Sequence, residues 1–180
     1  MAETLEQLRY PIGPWKWPET VADGDVERWI AEIAAAPAQL RAAVEGLSPE
    51  QIDTRYRPEG WTVRQVVHHM ADSHLNSQCR FRWALTEEAP TIKPYDQPKW
   101  AELSDARLSP IEPSLDLLDA LHLRWVALAE SLSAAERTRI FFHPEHPKPL
   151  RLDKTLGMYA WHGKHHMAHI TSLRARNGWV

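Results

Sequence analysis

Apolar residues recur near a 3.6-residue period in four stretches of the chain, and the prolines fall mostly between them. In 25–46 the stripe is Val26, Trp29, Ile30, Ile33, Leu40 and Val44, with Pro37 expected to kink or break the helix. The second stretch opens on Thr62 and Gln65, the spacing of a capping box, with Trp61 as a staple residue ahead of it. Val63, Val66, Val67 and Met70 follow, and the helix can run through Phe81 and Trp83 to Thr86. A third opens at Pro113 or Ser114 and aligns Leu115, Leu118, Leu121, Trp125, Leu128 and Leu132. The fourth covers 154–177, with Asp153 as its expected cap and Gly178 as its terminator.

Two connections stand out. Residues 89–112 are Pro-rich and contain Tyr95 and Trp100, and so long a link inside a compact domain predicts an ordered flap. Residues 140–152 (IFFHPEHPKPLRL) set aromatic and β-branched residues around a proline turn, which predicts a short hairpin before the fourth helix. The expected architecture is all-α: a four-helix bundle in one domain over 1–180, with 1–24 as an N-terminal covering segment and 89–112 as the long loop between helices two and three.

Composition narrows the function classes. The 180 residues carry 21 Lys+Arg and 24 Asp+Glu, a net charge of -3 with no basic block, which argues against a nucleic-acid partner. The first residues lack the apolar run of a signal peptide and no 18-residue apolar stretch occurs, so no membrane association is expected and the predicted compartment is the cytoplasm. The single cysteine, Cys79, reads as a small core residue, and Trp29, Trp83 and Trp125 as core aromatics. Trp15, Trp17 and Trp179 offer apolar surface for a homodimer. The surplus is in histidine, at 10 residues.

Spacing organises that surplus. His162 and His166 lie four apart, about 6 Å along a helix and roughly 40° past a full turn, so both rings leave one face and can share a metal. His165 and His169 form a second such pair. The second helix adds His68, His69 and His74, and Gln65, Asp72, Ser73, Asn76 and Arg80 continue a polar stripe beside its apolar one. A polar stripe turned into a bundle needs a ligand, a metal or water. One imidazole from this helix and two from the fourth would leave a tetrahedral ion one open position. His122 reads as a satisfied core residue, and His143 and His146 as loop residues.

The runs Trp61 to His74 (WTVRQVVHHMADSH) and Tyr159 to Ile170 (YAWHGKHHMAHI), with YPIGPWKW at 10–17, TIKPY at 91–95 and FHPE at 142–145, resemble the DinB/YfiT-like superfamily of metal-dependent hydrolases along nearly the whole chain. The resemblance implies a four-helix bundle holding one zinc or nickel ion with three histidines. It selects His69, eight residues after Trp61, together with His162 and His166. It also supports a homodimer.

Such a site can acidify a bound water and polarise a carbonyl or phosphoryl oxygen, which is the basis of the hydrolase expectation. Gly163 stands where an HEXXH protease has its glutamate, so any general base lies elsewhere. Asp72 reads as a residue orienting His69, with Glu59 and Glu145 as weaker bases. Asn76, Arg80, Tyr95 and Trp100 are the candidates for binding a small-molecule substrate. An open position accepts a thiolate equally well, so the first alternative is an S-transferase using a low-molecular-weight thiol of the bacillithiol, mycothiol or glutathione type. The second is a non-catalytic metal-binding or interaction module.

Overall fold

The computed structural model describes residues 3–179. Four long helices carry it: α2 (Asp25–Val44), α4 (Val63–Thr86), α7 (Glu112–Ser131) and α9 (Leu152–Asn177). The short helices α1 (Leu5–Arg9), α3 (Pro49–Ile52), α5 (Gln97–Ala101), α6 (Ser104–Leu108) and α8 (Ala134–Arg137) lie before and between them. β1 (Ile140–Phe141) and β2 (Leu150–Arg151) pair antiparallel, forming the short hairpin ahead of the last helix. Helices α2 and α4 each pack against both α7 and α9, so the polar stripe of α4 meets the histidine face of α9. No helix among the described residues is long and apolar enough to cross a membrane.

Local chemistry explains the starts and stops. The Thr62 hydroxyl accepts from the Gln65 amide at 3.2 Å while the Gln65 side chain accepts from the Thr62 amide at 3.0 Å, a complete capping box that fixes where α4 begins. The Gln65 side-chain amide also donates to the Ala101 carbonyl at 2.7 Å, tying the 89–112 connection down onto α4. That connection is not a plain loop, since α5 and α6 occupy its second half. Gly178 ends α9 in the left-handed region at φ 64°, as its position predicted.

Four expectations need correction. Pro37 does not end or break α2, which runs unbroken from Asp25 to Val44. Its missing N–H frees the Ile33 carbonyl one turn back, and that oxygen accepts from His122 Nδ1 at 2.7 Å, so the lost bond is replaced from outside. Asp153 does not cap α9. The helix begins at Leu152, and the buried Asp153 carboxylate instead accepts from the Lys154 amide at 2.7 Å and pairs with Arg151 at 2.5 Å. Trp83 is 40% exposed, unlike the buried Trp29 and Trp125. Cys79 is only half-buried on α4.

Two apolar clusters fill the interior. One gathers Leu40, Val66, Met70, Leu118 and Ile170; the other gathers Trp29, Phe81, Trp125, Phe141 and Leu156. Trp179 packs against the first, Trp15 meets Trp17 and Trp161 edge-on or tilted at 5.7 and 6.4 Å, and Trp17 also meets His146 edge-on at 5.9 Å, so all three terminal tryptophans make contacts within their own chain. Gly157 is required where α9 passes Trp29: a Cβ there would lie 2.8 Å from the Trp29 ring and 3.0 Å from Trp15. Gly157→Ala is expected to cost about 1–2 kcal/mol, because the overpacking outweighs the roughly 1 kcal/mol gained in helix propensity. Thermal unfolding checks this, and an unchanged or raised Tm would mean the tryptophans yield freely.

Candidate metal centre

The capping box and the α4–α9 packing bring His69, His162 and His166 together. Each offers one ring nitrogen, and these nitrogens lie within 4.8 Å of one another. His69 Nε2 and His162 Nε2 are 3.2 Å apart, so neutral rings can place at most one proton between them. The Trp61 ring covers this group, 4.7 Å from the His69 ring and stacked at 6.3 Å over His166. Its sequence reading as a helix staple therefore missed its second use as a wall of the site.

The other histidines separate by their partners. His68 turns away, with Nδ1 2.7 Å from the Ser114 hydroxyl and Nε2 3.3 Å from the Ser109 carbonyl. His169 Nε2 donates to the Arg9 carbonyl at 3.0 Å, and its ring stacks on Tyr56 at 3.9 Å. His165 stacks on Trp161 at 4.5 Å. His165, His166 and His169 nevertheless form a second group whose ring nitrogens converge within the same limit, so His166 belongs to both. His74 is fully buried, with Nε2 3.1 Å from His162 Nδ1 and Nδ1 2.8 Å from His122 Nε2.

Burial keeps the rings uncharged. It pushes His69 down to about 3 and His162 and His166 well below the ordinary imidazole value, with the adjacent histidines adding to the shift. His165 falls to about 3 and His169 to about 4 for the same leading reason. Near neutral pH each imidazole presents a lone pair, the state a metal requires.

A pocket of about 420 Å³ opens onto the cluster. Arg9, Tyr10, Tyr56, Arg57, Glu59 and Trp61 form much of its wall, with Glu59 its single carboxylate among the described residues. Glu59 holds a left-handed backbone at φ 58°, in a turn where Arg55 donates to the Gly60 carbonyl. Its neighbour must be glycine, since a Cβ on Gly60 would lie 2.6 Å from the Arg57 side chain. A larger hollow of about 710 Å³ elsewhere, between α2, α3 and the start of α7, contains no histidine.

The remaining predicted site residues lie apart from this pocket. Asp72 makes no hydrogen bond to His69, correcting its role as the group that orients that ring; burial and Asp105 instead raise its carboxyl to about 6. The Asn76 amide is used on the Asp72 carbonyl at 2.9 Å, and Arg80 is buried with its guanidinium 3.4 Å from the Tyr159 hydroxyl. Tyr95 lies against Trp100 at 4.5 Å and lines an adjoining hollow with Trp61, Gln97, Pro98 and Glu145; Trp100 lines neither space. The Arg9, Tyr10 and Arg57 wall carried no sequence signal beyond the aromatic character of 10–17.

The bundle with inward-facing histidines is that of a known class. The chain belongs to the DinB superfamily, which its residues 26–170 match. It is 51% identical to a Bacillus mycoides protein named “Putative metal-dependent hydrolase”, over 97% of this chain and all of that one. A Geobacillus kaustophilus protein given the same name is 48% identical over 98% of this chain and 99% of its own. The solved structure of YfiT from Bacillus subtilis, described as having an unusual four-helix bundle topology, matches with a TM-score of 0.94 at 47% identity, covering 97% of this chain and 99% of that one.

The Asp72 shift has a measurable consequence. A carboxyl raised in the folded state binds its proton more tightly there than in the unfolded chain, so stability falls as pH rises from about 4 to 6. Asp72→Asn removes that titration. Its stability relative to the parent is expected to improve by about 1–2 kcal/mol between pH 4 and pH 7, after allowance for partial solvent screening. Urea unfolding at the two pH values checks this, and a constant difference would show that Asp72 ionises freely.

Proposed function

We propose that this protein is a metal-dependent hydrolase in which His69, His162 and His166 hold one divalent ion, zinc or nickel. The observation that carries the reading is the convergence of three neutral ring nitrogens, those of the buried His69 and His166 and the half-buried His162, at the floor of an open pocket. The donor set fits such an ion: imidazole suits zinc and nickel alike, and three protein ligands leave a position for substrate or water. The names of the relatives point the same way. A bound ion supplies Lewis acidity and brings the ionisation of water toward neutral pH.

The chain's own residues do the rest. Trp61 and Tyr10 limit water around the cluster, and the Arg9 and Arg57 guanidiniums favour substrates carrying negative charge. Glu59 is the carboxylate available in the pocket wall to take a proton, and its left-handed backbone is the strain expected at a working position. Those same two guanidiniums also suit an acidic low-molecular-weight thiol, which favours S-transfer as the second reading.

Zinc content of single alanine variants after loading and dialysis tests the ligands. His69→Ala, His162→Ala and His166→Ala are expected to fall to a small fraction of one equivalent, whereas His165→Ala and His169→Ala keep theirs. Undiminished metal in the first three would reject the assignment. For the reaction, ester, amide and phosphoester panels with and without thiol decide. Thiol-independent turnover reduced about 10²-fold or more by Glu59→Gln is the expected result. Turnover that requires thiol would overturn hydrolysis in favour of transfer.

A further inference from the structure

His162 is one end of a line of buried hydrogen bonds. Its Nδ1 lies 3.1 Å from His74 Nε2, His74 Nδ1 lies 2.8 Å from His122 Nε2, and His122 Nδ1 lies 2.7 Å from the Ile33 carbonyl oxygen. We infer that His74 and His122 are positioning residues, a relay that locks His162 into the tautomer whose Nε2 lone pair faces His69 and His166.

The direction of every bond follows from the far end. A carbonyl only accepts, so His122 Nδ1 carries the hydrogen. A neutral His122 then has a lone pair on Nε2, and His74 donates to it from Nδ1. That leaves a lone pair on His74 Nε2, to which His162 donates from Nδ1. The only lone pair remaining on His162 is on Nε2, 3.2 Å from His69 Nε2. Reversal would require a cationic ring along the line. His74 is 0% and His122 2% exposed, and Phe81, Trp125 and Tyr159 surround the region with aromatic surface. Burial lowers the proton affinity of both rings, which opposes such a cation.

The Ile33 carbonyl is available because of Pro37, which has no N–H to occupy it. The relay is therefore anchored on a helix that contributes no ring to the cluster. It holds rather than conducts, because a chain of neutral rings ending on a carbonyl has no group from which to receive or release a proton.

The inference deepens the metal reading and rests on His162 being a ligand, yet the two can fail separately. The ring tautomer of His162 in the metal-free full chain, read by two-bond proton–nitrogen-15 correlation, does not involve metal. The Nδ1–H form is expected in the parent and in His74→Gln, whose amide can both donate and accept; His74→Phe is expected to lose it. An Nε2–H ring in the parent, or an unchanged tautomer in His74→Phe, overturns the relay. The second measurement is zinc affinity by competition with a chelator. His74→Phe is expected to bind 10–100-fold more weakly, with His74→Gln recovering most of the loss. Should His74→Phe not fold, as judged by circular dichroism and thermal unfolding of the metal-free protein, His122→Leu, at the distal end, carries both readouts with the same expectations. The relay is also overturned as a positioning device if the folded variants bind zinc as the parent does while His162→Ala abolishes binding. If His162→Ala itself keeps full zinc content, the ligand assignment falls, and the tautomer spectrum alone judges the relay.

Discussion

A neutral imidazole buried in a helical bundle has one N–H to donate and one lone pair to satisfy, and the contact between α4 and α9 is organised around that demand. Six rings from these two helices crowd the region where they meet, and burial lowers the proton affinity of each. Charging any one of them would place a cation among apolar neighbours and beside other imidazoles. The bundle therefore keeps the rings neutral, and neutrality leaves lone pairs that protein groups do not all fill. His165, His166 and His169 each retain a buried Nδ1 with no partner. A cation held by His69, His162 and His166 is the economical way to satisfy the rings that converge there, because one ion answers three acceptors at once, with His166 the ring common to both groups.

The surroundings divide the histidines into those held and those left available. Main-chain carbonyls take the N–H of His68, His122 and His169 from three distant parts of the chain. His69 and His166 have no such anchor and are walled by Trp61 instead. The N-terminal segment joins this arrangement directly: the Arg9 carbonyl binds His169, and the Gly13 carbonyl accepts from the Trp161 indole at 3.1 Å. Segment 9–13 thus lies along the outer side of the histidine face of α9, and the pocket mouth is built from chain ends and turns rather than from the bundle itself. Substrate choice and metal affinity can then vary independently, since they rest on different elements.

The parts legible in the sequence were those fixed by local periodicity. Stripes of 3.6-residue period located all four long helices, and the capping box at Thr62 placed the start of α4 to the residue. An i,i+4 histidine pair was equally plain, but spacing alone could not choose between His162/His166 and His165/His169, since both pairs meet the same geometric condition. Resemblance made that choice. The structure brings both groups together, with His166 common to them. Asp72 misled because a residue three positions from His69 lies on the same helical side, yet its carboxylate makes no bond to that ring and is instead subject to burial and to the charge of Asp105 on α6. The Arg57–Trp61 wall and the His122 anchor were illegible for a different reason. Their partners are brought together by packing between segments far apart in the chain, and no local pattern encodes that.

Helix α2 shows how far such long-range dependence extends. It supplies no ligand candidate, yet three of its features fix the position of α9. Trp29 fits against the bare Cα of Gly157, Ala36 lies 3.5 Å from where a Cβ on Gly163 would sit, and Glu32 pairs with Lys164 at 2.9 Å. Gly157 is where a Cβ would not fit, while at Gly163, six residues on, one would make ordinary contact with Ala36, so the two helices run side by side for nearly two turns and His162 falls between the two glycines. The Ile33 carbonyl exposed by Pro37 lies on the same stretch of α2. Proline and glycine, each unfavourable inside a helix on its own, are thus used in pairs across one interface: glycine brings the backbones together, and proline frees the acceptor that their proximity allows a buried ring to reach. The helix-propensity cost, about 1 kcal/mol per glycine and about 3 for proline, is offset by close packing and by a replaced hydrogen bond. Residues that look like defects in α2 and α9 read separately become consistent once the two helices are read as one unit.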